Sequence, residues 1–385
     1  MKTVLIAFYK AFPPTFGTAT LTYNIAKYIV GEKYLLHLSE GKQSGPAITE
    51  SGVNLINIRC FTDNHFLKMI NLFLLLALIV KKIVRLNPDF IIIEGGSWSF
   101  YSLILLCMIK SKRIKADIIY HPHNVEYLLR KEKDNIAISW VTYWAESGLL
   151  RKSDMIFAVS QADAVNFARI YGIKPKVLQS GVDVEIFSKV NDVQVEVLRE
   201  KYKLYGKLLL FMGIPSFKPN KEAINFLLNR IFTVITKEFP DVRLLIIGGK
   251  IGRKEPWLIN PGNIPFDEVP ALIKACDVCL APIFKGAGVK FKILEYMAAA
   301  KPVISTSKGT EGIVMVKDGE NIIIANDENA FLEKIVYLLK NPEAAKEIGE
   351  RARILIESNY SWQRTMEYFN QALEGAQSNR LSHEQ

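Results

Sequence analysis

Short apolar runs alternate with longer amphipathic stretches along the whole chain of 385 residues. In the first half, such runs predict strands at residues 4–7, 34–38, 54–58, 90–93, 117–120, 155–159 and 176–179. Amphipathic stretches of helical length lie between them, for example at residues 21–30, 71–86 and 160–171. Strands separated by helix-length segments are typical of βαβ units, so we expect a parallel sheet in this half.

A second alternating series follows residues 191–206, a charged stretch with a helical pattern that links the halves. Its predicted strands lie at residues 208–212, 243–247, 263–265, 278–281, 303–305 and 321–324. The chain is too long for one ordinary core, and its apolar fraction of 49% is enough for two. The pattern therefore predicts two doubly wound α/β domains of similar size. Ligands in such sheets bind beyond the carboxyl ends of the strands, so we expect the site in a cleft between the domains.

The positive charge is concentrated in the first half of the chain. Residues 1–190 carry 23 Lys and Arg against 15 Asp and Glu, whereas residues 191–385 carry 26 against 24. The excess indicates either a solvated basic surface or a face that meets an anionic membrane or a lipid-phosphate acceptor. Nucleic acid is not an expected partner, because no recognition motif accompanies the charge.

One segment, at residues 65–86, places apolar side chains close together at helical spacing. These are Phe66, Met69, Ile70, Phe73, Leu74, Ala77 and Val80, and Lys81, Lys82 and Arg85 follow them. The pattern predicts either a buried crossover helix or a helix that lies on an anionic membrane. The longest unbroken apolar run, residues 72–80, is far shorter than the roughly 20 residues of a spanning helix. Since no signal peptide is visible, we expect a cytoplasmic protein, either free or peripheral on the inner face of the membrane.

Four cysteines do not make the disulfide framework of a secreted domain. Cys276 and Cys279 form a CxxC, but they fall in an apolar run that predicts a buried strand. No second pair lies at zinc spacing, so we expect core thiols rather than a metal or redox site.

The segment at residues 282–313, PIFKGAGVKFKILEYMAAAKPVISTSKGTEGI, is the most informative in the chain. Its loop Gly286-Ala287-Gly288-Val289 is followed by Lys290 and Lys292, and a predicted helix then carries Glu295 one turn in. Glycines let a backbone approach an anion, and a helix N-terminus offers unpaired N–H groups. The segment predicts a phosphate site, and Glu295 could accept hydrogen bonds from sugar hydroxyls. The alternative is an ordinary crossover with solvated lysines, which we favour for Lys292.

The run GxGxKxKxLEYMAxxKPVIST, followed by GxEGI, resembles the donor-site signature of glycosyltransferase family 4, retaining enzymes of the GT-B fold. Similar pieces occur in the family's order, at HNVE, AVSQAD, SGVDVEIF and KPN. The resemblance implies two Rossmann-like domains that face each other across a cleft. Residues 1–190 would form the acceptor-binding domain and residues 191–360 the nucleotide-sugar domain. Residues 361–385 would form a helix that crosses back to the first domain.

The resemblance also implies roles for individual residues. His123, of HNVE, aligns with the histidine that the family places at the donor sugar, although a structural histidine is the alternative. Gly17 and Thr18 stand where the family has a loop at the sugar–phosphate junction. Glu295 would bind the ribose diol, as the second motif glutamate of the family does.

A metal pair of His121 and His123 is not expected, because no carboxylate except Glu126 stands at ligand spacing.

Glycosyl transfer requires stabilisation of the departing diphosphate, by a metal or by fixed cations and backbone amides. The chain has no Asp-x-Asp motif, so we expect fixed cations, namely Lys290 with the amides near Gly286 and Gly288, and Lys218 as a second cation. Two positions depart from the family pattern. Ala287 stands where many members have a glutamate, and Ile214 where many have an arginine, which Lys290 would replace.

We therefore predict a retaining glycosyltransferase that moves a sugar from a nucleotide-diphosphate sugar to a saccharide or lipid-linked acceptor. It would need neither a metal nor another cofactor. One alternative is a nucleotide-sugar epimerase of the same fold. The other is a non-catalytic partner subunit, which the missing first glutamate favours and which His123, Lys290 and Glu295 disfavour.

Overall fold

The computed structural model describes residues 1–14, 17–39, 48–59, 65–95, 98–133, 136–286 and 289–384. The chain divides into two compact units. Unit 1 consists of Met1–Ser180 with Thr365–Gln385, and unit 2 consists of Gly181–Arg364. Each unit contains one parallel sheet with connecting helices.

Unit 1 contains a sheet of seven parallel strands in the order β3-β2-β1-β4-β5-β6-β7. Its elements are β1 Lys2–Ala7, α1 Gly17–Tyr28, β2 Glu32–Ser39, β3 Asn54–Arg59, α2 His65–Leu86, β4 Phe90–Glu94, α3 Ser99–Ser111, β5 Asp117–His121, α4 Glu126–Lys133, α5 Ile136–Lys152, β6 Met155–Ala158, α6 Gln161–Tyr171 and β7 Lys176–Val177. The chain runs outward from β1 to β3 and then returns to β4 on the other side of β1. The carboxyl ends of β1 and β4 therefore form a topological switch point, where parallel sheets bind ligands.

Unit 2 contains a sheet of six parallel strands in the order β10-β9-β8-β11-β12-β13. Its elements are α7 Val184–Ser188, α8 Asp192–Tyr202, β8 Lys207–Met212, α9 Lys218–Phe226, a π-helix Leu227–Ile231, α10 Phe232–Glu238, β9 Val242–Ile247, β10 Leu258–Gly262, a 3₁₀ helix Phe266–Glu268, α11 Val269–Ala275, β11 Val278–Ala281, α12 Phe291–Ala298, β12 Val303–Ser305, β13 Ile323–Ile324, α13 Glu328–Lys340 and α14 Pro342–Asn359. Here the switch point lies at the carboxyl ends of β8 and β11.

The last helix, α15 Trp362–Glu384, extends from unit 2 into unit 1. Within unit 1, Asn370 accepts a hydrogen bond from the amide of Val30 at 3.2 Å. Arg380 forms an ion pair with Asp89 at 2.9 Å, and the ring of Phe369 packs edge-on against that of Phe157 at 4.8 Å. Residues after Thr365 thus contribute to the packing of unit 1.

The predicted class, two doubly wound parallel α/β sheets, is confirmed. One predicted strand, at residues 263–265, is wrong, because β10 ends at Gly262. The run Asn260-Pro261-Gly262 resembles a turn in sequence, but its backbone continues the pairing with β9 after a register shift. Asn260 supports this irregular strand by donating to the carbonyls of Ile246 and Gly249, at 2.8 and 3.0 Å.

The apolar residues of helix α2 divide between a buried side and an exposed side. Val80 is buried together with Leu76, Ile79 and Ile83, whereas Phe73 and Leu74 are exposed. The side chains of Phe66, Met69 and Ile70 lie outside the described residues. Among the described helices, none is long and apolar enough to cross a membrane.

Candidate functional site

In unit 2, two loops converge at the switch point between β8 and β11. Helix α9 begins at Lys218 after β8, and α12 begins after Lys290, which follows β11. A Cβ atom built on Gly286 would lie 3.7 Å from Cγ of Pro219, and Nζ of Lys285 lies 3.3 Å from Oε1 of Glu222. The predicted phosphate loop therefore lies beside the first turn of α9.

Lys292 is held inside this site, so the expectation that it is solvated is wrong. Its Nζ donates to Oδ1 of Asn220 at 2.8 Å and lies 4.3 Å from the ring centroid of Phe211. Asn220 is buried and donates in turn to the carbonyl of Ile214 at 3.1 Å. Sequence spacing did not reveal this contact, because Lys292 and Asn220 are 72 positions apart.

Gly213 makes this approach of Lys292 possible. A Cβ atom at position 213 would lie 2.8 Å from Nζ of Lys292 and 2.7 Å from Cγ of Asn220, closer than real Cβ contacts. Lys292 therefore places its ammonium group beside the backbone at residues 213–214. This is next to Ile214, where many family members have an arginine.

The ionisable groups at the start of α12 are perturbed by burial. Burial lowers the pKa of Lys292 to about 7, against a smaller opposing effect of Glu295. Burial raises the pKa of Glu295 to about 7, and the charge of Lys292 opposes that rise. Burial also lowers the pKa of Lys290, while the carboxylate of Glu311 opposes the change. Groups with perturbed pKa values concentrate at functional sites. An anion bound here would raise the pKa values of Lys290 and Lys292 and so favour their charged forms.

Helix α12 is a rigid support for these groups. Its residues Ile293, Leu294 and Met297 are buried, and the hydroxyl of Tyr296 accepts a hydrogen bond from the amide of Met212 at 2.7 Å. Lys290 is the residue before the helix, and its side chain makes no capping hydrogen bond. The N–H groups of the first turn can therefore bind an anion together with the lysines.

The other predicted residues of unit 2 have different environments. Gly286 has φ +109°, a backbone conformation that favours glycine, and Val289 is half-buried. Lys218 is exposed at the first turn of α9. Ala287 and Gly288 lie outside the described residues.

In unit 1, a buried carboxylate lies at the carboxyl end of β4. Oε2 of Glu94 is 2.8 Å from Nε2 of His123 and 3.1 Å from Nδ1 of His121, and it accepts a third hydrogen bond from the hydroxyl of Thr22 at 3.0 Å. The Thr22 hydroxyl lies 2.6 Å from that of Tyr9, which follows β1. Glu94 is the residue that the sequence analysis missed, although a charged residue ending the apolar strand FIIIE was a signal for it.

The state of His123 follows from these contacts. Hydrogen bonds and the nearby imidazoles hold the pKa of Glu94 at about 2 against the effect of its burial, so the carboxylate is ionised and can only accept. Nε2 of His123 therefore donates. Burial lowers the pKa of His123 against the opposing effect of Glu94, and this lowering favours the neutral ring. In the neutral ring, with Nε2 donating, Nδ1 carries a lone pair. Among the described residues, this buried Nδ1 has no hydrogen-bond partner.

One group of described residues has the spacing to hold a metal ion. It consists of Glu94, His121 and His123, whose ligand atoms lie within 4.8 Å of one another. Sequence spacing suggested Glu126 as the carboxylate nearest the histidines, but the carboxylate beside them is Glu94. Glu126 instead begins α4, where its amide donates to the buried Glu146 at 3.0 Å and its carboxylate pairs with Arg130 at 2.9 Å. Hydrogen bonding to one oxygen accounts for the positions of both imidazoles.

The remaining predicted residues of unit 1 lie at the start of α1. Gly17 is the first residue of this helix and is exposed, and Thr18 is half-buried. Thr22, one turn further along the same helix, is the one that contacts Glu94.

The sequence matches two family models that together span most of the chain. Residues 17–186 match the model described as Glycosyltransferase Family 4, and residues 206–341 match the model described as Glycosyl transferases group 1. The chain belongs to glycosyltransferase family 4. The resemblance noted in the sequence is therefore confirmed.

Two curated proteins are similar to parts of this family 4 member, and their descriptions differ. A protein of the cps region of Klebsiella pneumoniae, named by its mass of 44.6 kDa, is 34% identical over 42% of this chain and 44% of its own length. Trehalose synthase of Pyrococcus horikoshii is 27% identical over 51% of each chain. The chain thus spans about half the length of these curated relatives.

Solved structures show the same fold. HepE of Anabaena, in a crystal structure with UDP and glucose, superposes with a TM-score of 0.74 and 16% identity, covering 98% of this chain and 99% of its own. This likeness confirms a GT-B fold for this family 4 member.

Proposed function

We propose that this protein transfers a sugar from a nucleotide-diphosphate sugar to a saccharide or lipid-linked acceptor, with retention of configuration and without a metal. The observation that carries the proposal is the group of cations at the switch point of unit 2. Lys290 and the partly buried Lys292 flank the N-terminus of α12, and Lys218 is exposed at the first turn of the neighbouring helix α9. The crystal structure of HepE with UDP and glucose supports a nucleotide sugar as the ligand.

In this proposal, the cations act on the diphosphate. Lys290, Lys218 and the amides of the first turn of α12 would neutralise the charge that develops as the diphosphate leaves. Lys292, rather than Lys290 as expected from the sequence, would take the role of the arginine that many family members have at the position of Ile214, because the ammonium group of Lys292 already lies beside Gly213. Glu295 would accept hydrogen bonds from the ribose diol.

His123 would contact the sugar in unit 1. Its neutral ring offers Nδ1 as a hydrogen-bond acceptor, which suits a sugar hydroxyl. Gly95 lies next to this atom, and a Cβ there would be 3.6 Å from Nδ1. Glu94 would act as a positioning residue, because it fixes the orientation of the ring. Gly17, Thr18, Gly286, Ala287, Gly288 and Val289 are proposed to complete the donor site.

The test uses a panel of nucleotide sugars, beginning with UDP-sugars. Thermal shift first identifies the donor, and release of nucleoside diphosphate is then measured with and without candidate saccharide and lipid-linked acceptors. We expect one donor to stabilise the protein and its diphosphate to be released faster when the right acceptor is present. Rapid conversion of the donor without an acceptor would indicate the epimerase, and binding without any release would indicate a non-catalytic subunit.

A matched pair of variants ties the result to the site. Lys292→Met should weaken donor binding, whereas Lys285→Met, which removes an exposed lysine of the same segment paired with Glu222, should leave binding near the wild-type value. Equal effects of the two changes would show that the buried lysine has no special role in binding.

A further inference from the structure

Three neighbouring helices of unit 1, α2, α3 and α5, expose apolar side chains. The exposed residues are Phe73, Leu74, Leu78, Phe100, Ile136, Trp140, Val141 and Trp144. The rings of Phe73 and Phe100 meet edge-on at 6.4 Å, so the patch continues from α2 to α3, and α3 packs against α5. Two tryptophans exposed by 54% and 66% make this an unusual surface for a folded chain.

The same helices have a one-sided charge. Together they carry seven Lys and Arg but only one acidic residue, Glu146, whose side chain is buried. Glu146 is hydrogen-bonded to the hydroxyl of Tyr171 at 2.6 Å and to backbone amides of α4, so it does not offset the surface charge. The surface is therefore apolar and basic, with no exposed described carboxylate on these three helices.

The two properties occupy different zones of the surface. Each of the three helices ends shortly before the amino end of the next strand, and its last turns carry the exposed cations. These are Lys81, Lys82 and Arg85 on α2, Lys110 on α3, and Arg151 and Lys152 on α5. The tryptophans and Phe100 lie in the first halves of their helices, nearer the carboxyl edge of the sheet. That edge also carries Glu94 and His123.

We propose that this surface docks unit 1 onto an anionic lipid bilayer, with Trp140 and Trp144 inserted at the interface and the cations on the headgroups. Tryptophan is favoured at membrane interfaces because one end of its ring system is apolar and its N–H can reach water. Asp154, just after α5, lies 3.7 Å from Lys110, but the other five cations are not offset by an exposed described carboxylate on these helices. A surface with this excess of positive charge fits anionic lipid better than it fits a second copy of itself, whose identical charge would repel it. Docking would bring unit 1 to a lipid-linked acceptor, and in this respect the inference rests on the proposed function.

The test uses the full chain and vesicles of phosphatidylcholine with and without phosphatidylglycerol. We expect the protein to sediment with the anionic vesicles at low salt, and to do so less at high salt. On binding, tryptophan emission should shift to shorter wavelength, and brominated lipid should quench it, because Trp140 and Trp144 enter the interface.

Three variants separate the contributions. Lys81→Glu with Lys82→Glu and Arg85→Glu should lower vesicle affinity at least a hundredfold, since each cation near an anionic surface contributes about fivefold. Trp140→Ser with Trp144→Ser should lower affinity roughly tenfold per ring and abolish quenching by the brominated lipid. Val193→Ser with Val197→Ser, two exposed apolar residues on α8 of unit 2, is the matched control and should bind as the wild type does.

Binding of the donor is measured on the same variants without vesicles. It should be unchanged in all three, which would show that the variants are folded. A wild type that binds the vesicles but no donor would contradict the proposed function alone. The docking proposal is wrong if the wild type ignores anionic vesicles at low salt, or if the tryptophan variant binds them normally. It is also wrong if that variant turns a dimer into a monomer without changing vesicle binding, because the surface would then join two copies of the chain.

Discussion

Replacing Glu94 by Gln should destabilise unit 1 in a way that depends on pH. The change keeps the shape of the side chain but removes the charge that accepts hydrogen bonds from His121, His123 and Thr22. The folded-state pKa of Glu94 is about 2, against an ordinary value of 4.5. Since one pKa unit corresponds to about 1.4 kcal/mol, the ionised carboxylate contributes about 3 kcal/mol to the free energy of unfolding.

The sign of the pH dependence follows from the depressed pKa. The contribution is fully present above the unfolded value of 4.5 and is lost as pH falls toward 2. The difference between wild type and Glu94→Gln should therefore be about 3 kcal/mol at pH 5 and about half of that at pH 3.

Amide hydrogen exchange in peptides from β4 and β5, followed against urea, measures the stability of unit 1 separately from that of unit 2. The control is Glu50→Gln, an exposed glutamate of the same unit, which should have little effect at either pH. A destabilisation that is the same at pH 5 and pH 3, or none at all, would refute the assignment of Glu94 as a buried ionised acceptor.

Three further predictions concern the donor site. At pH 8, above its pKa of about 7, Glu295 is ionised, so Glu295→Gln should weaken nucleotide binding about tenfold or more while leaving thermal stability without ligand intact, because a charged acceptor becomes a neutral amide. Calorimetry checks this, and unchanged affinity for every nucleotide sugar would remove Glu295 from the site. Lys290→Ala should lower kcat on the order of a hundredfold and donor affinity less, since its charge matters most when the diphosphate leaves; a loss of affinity with kcat unchanged in steady-state kinetics would assign Lys290 to ground-state binding alone. Turnover should survive chelation by EDTA, and the metal-free mechanism fails if EDTA abolishes it and a divalent ion restores it.

The fold was largely predictable because each buried strand is a nearly continuous apolar run. Residues 90–93 of β4 and 278–281 of β11 show this pattern, which parallel sheets with both faces covered require. The boundaries of β10 were not predictable in this way. Its pairing continues through Asn260 and Pro261 because a side-chain amide supports the backbone there, and periodicity does not register such a contact.

The candidate site was predictable only where its residues are neighbours in sequence. Lys290 and Glu295 stand on one short segment, and the resemblance to family 4 led to them. Lys292 was misjudged because Asn220 and Phe211, which hold it, come from another part of the chain. Glu94 was missed for the same reason, since it reaches His123 only when β4 and β5 lie side by side.

In the proposed function, the start of α12 binds the diphosphate of a nucleotide sugar. Calorimetric titration with nucleoside diphosphates and their sugars, on the wild type and on a variant with both Lys290→Ala and Lys292→Met, tests it most directly. We expect saturable binding at one site in the wild type, and at least a tenfold loss of affinity in the variant. Absence of binding to every nucleotide tested, or equal affinity in the two proteins, would contradict it.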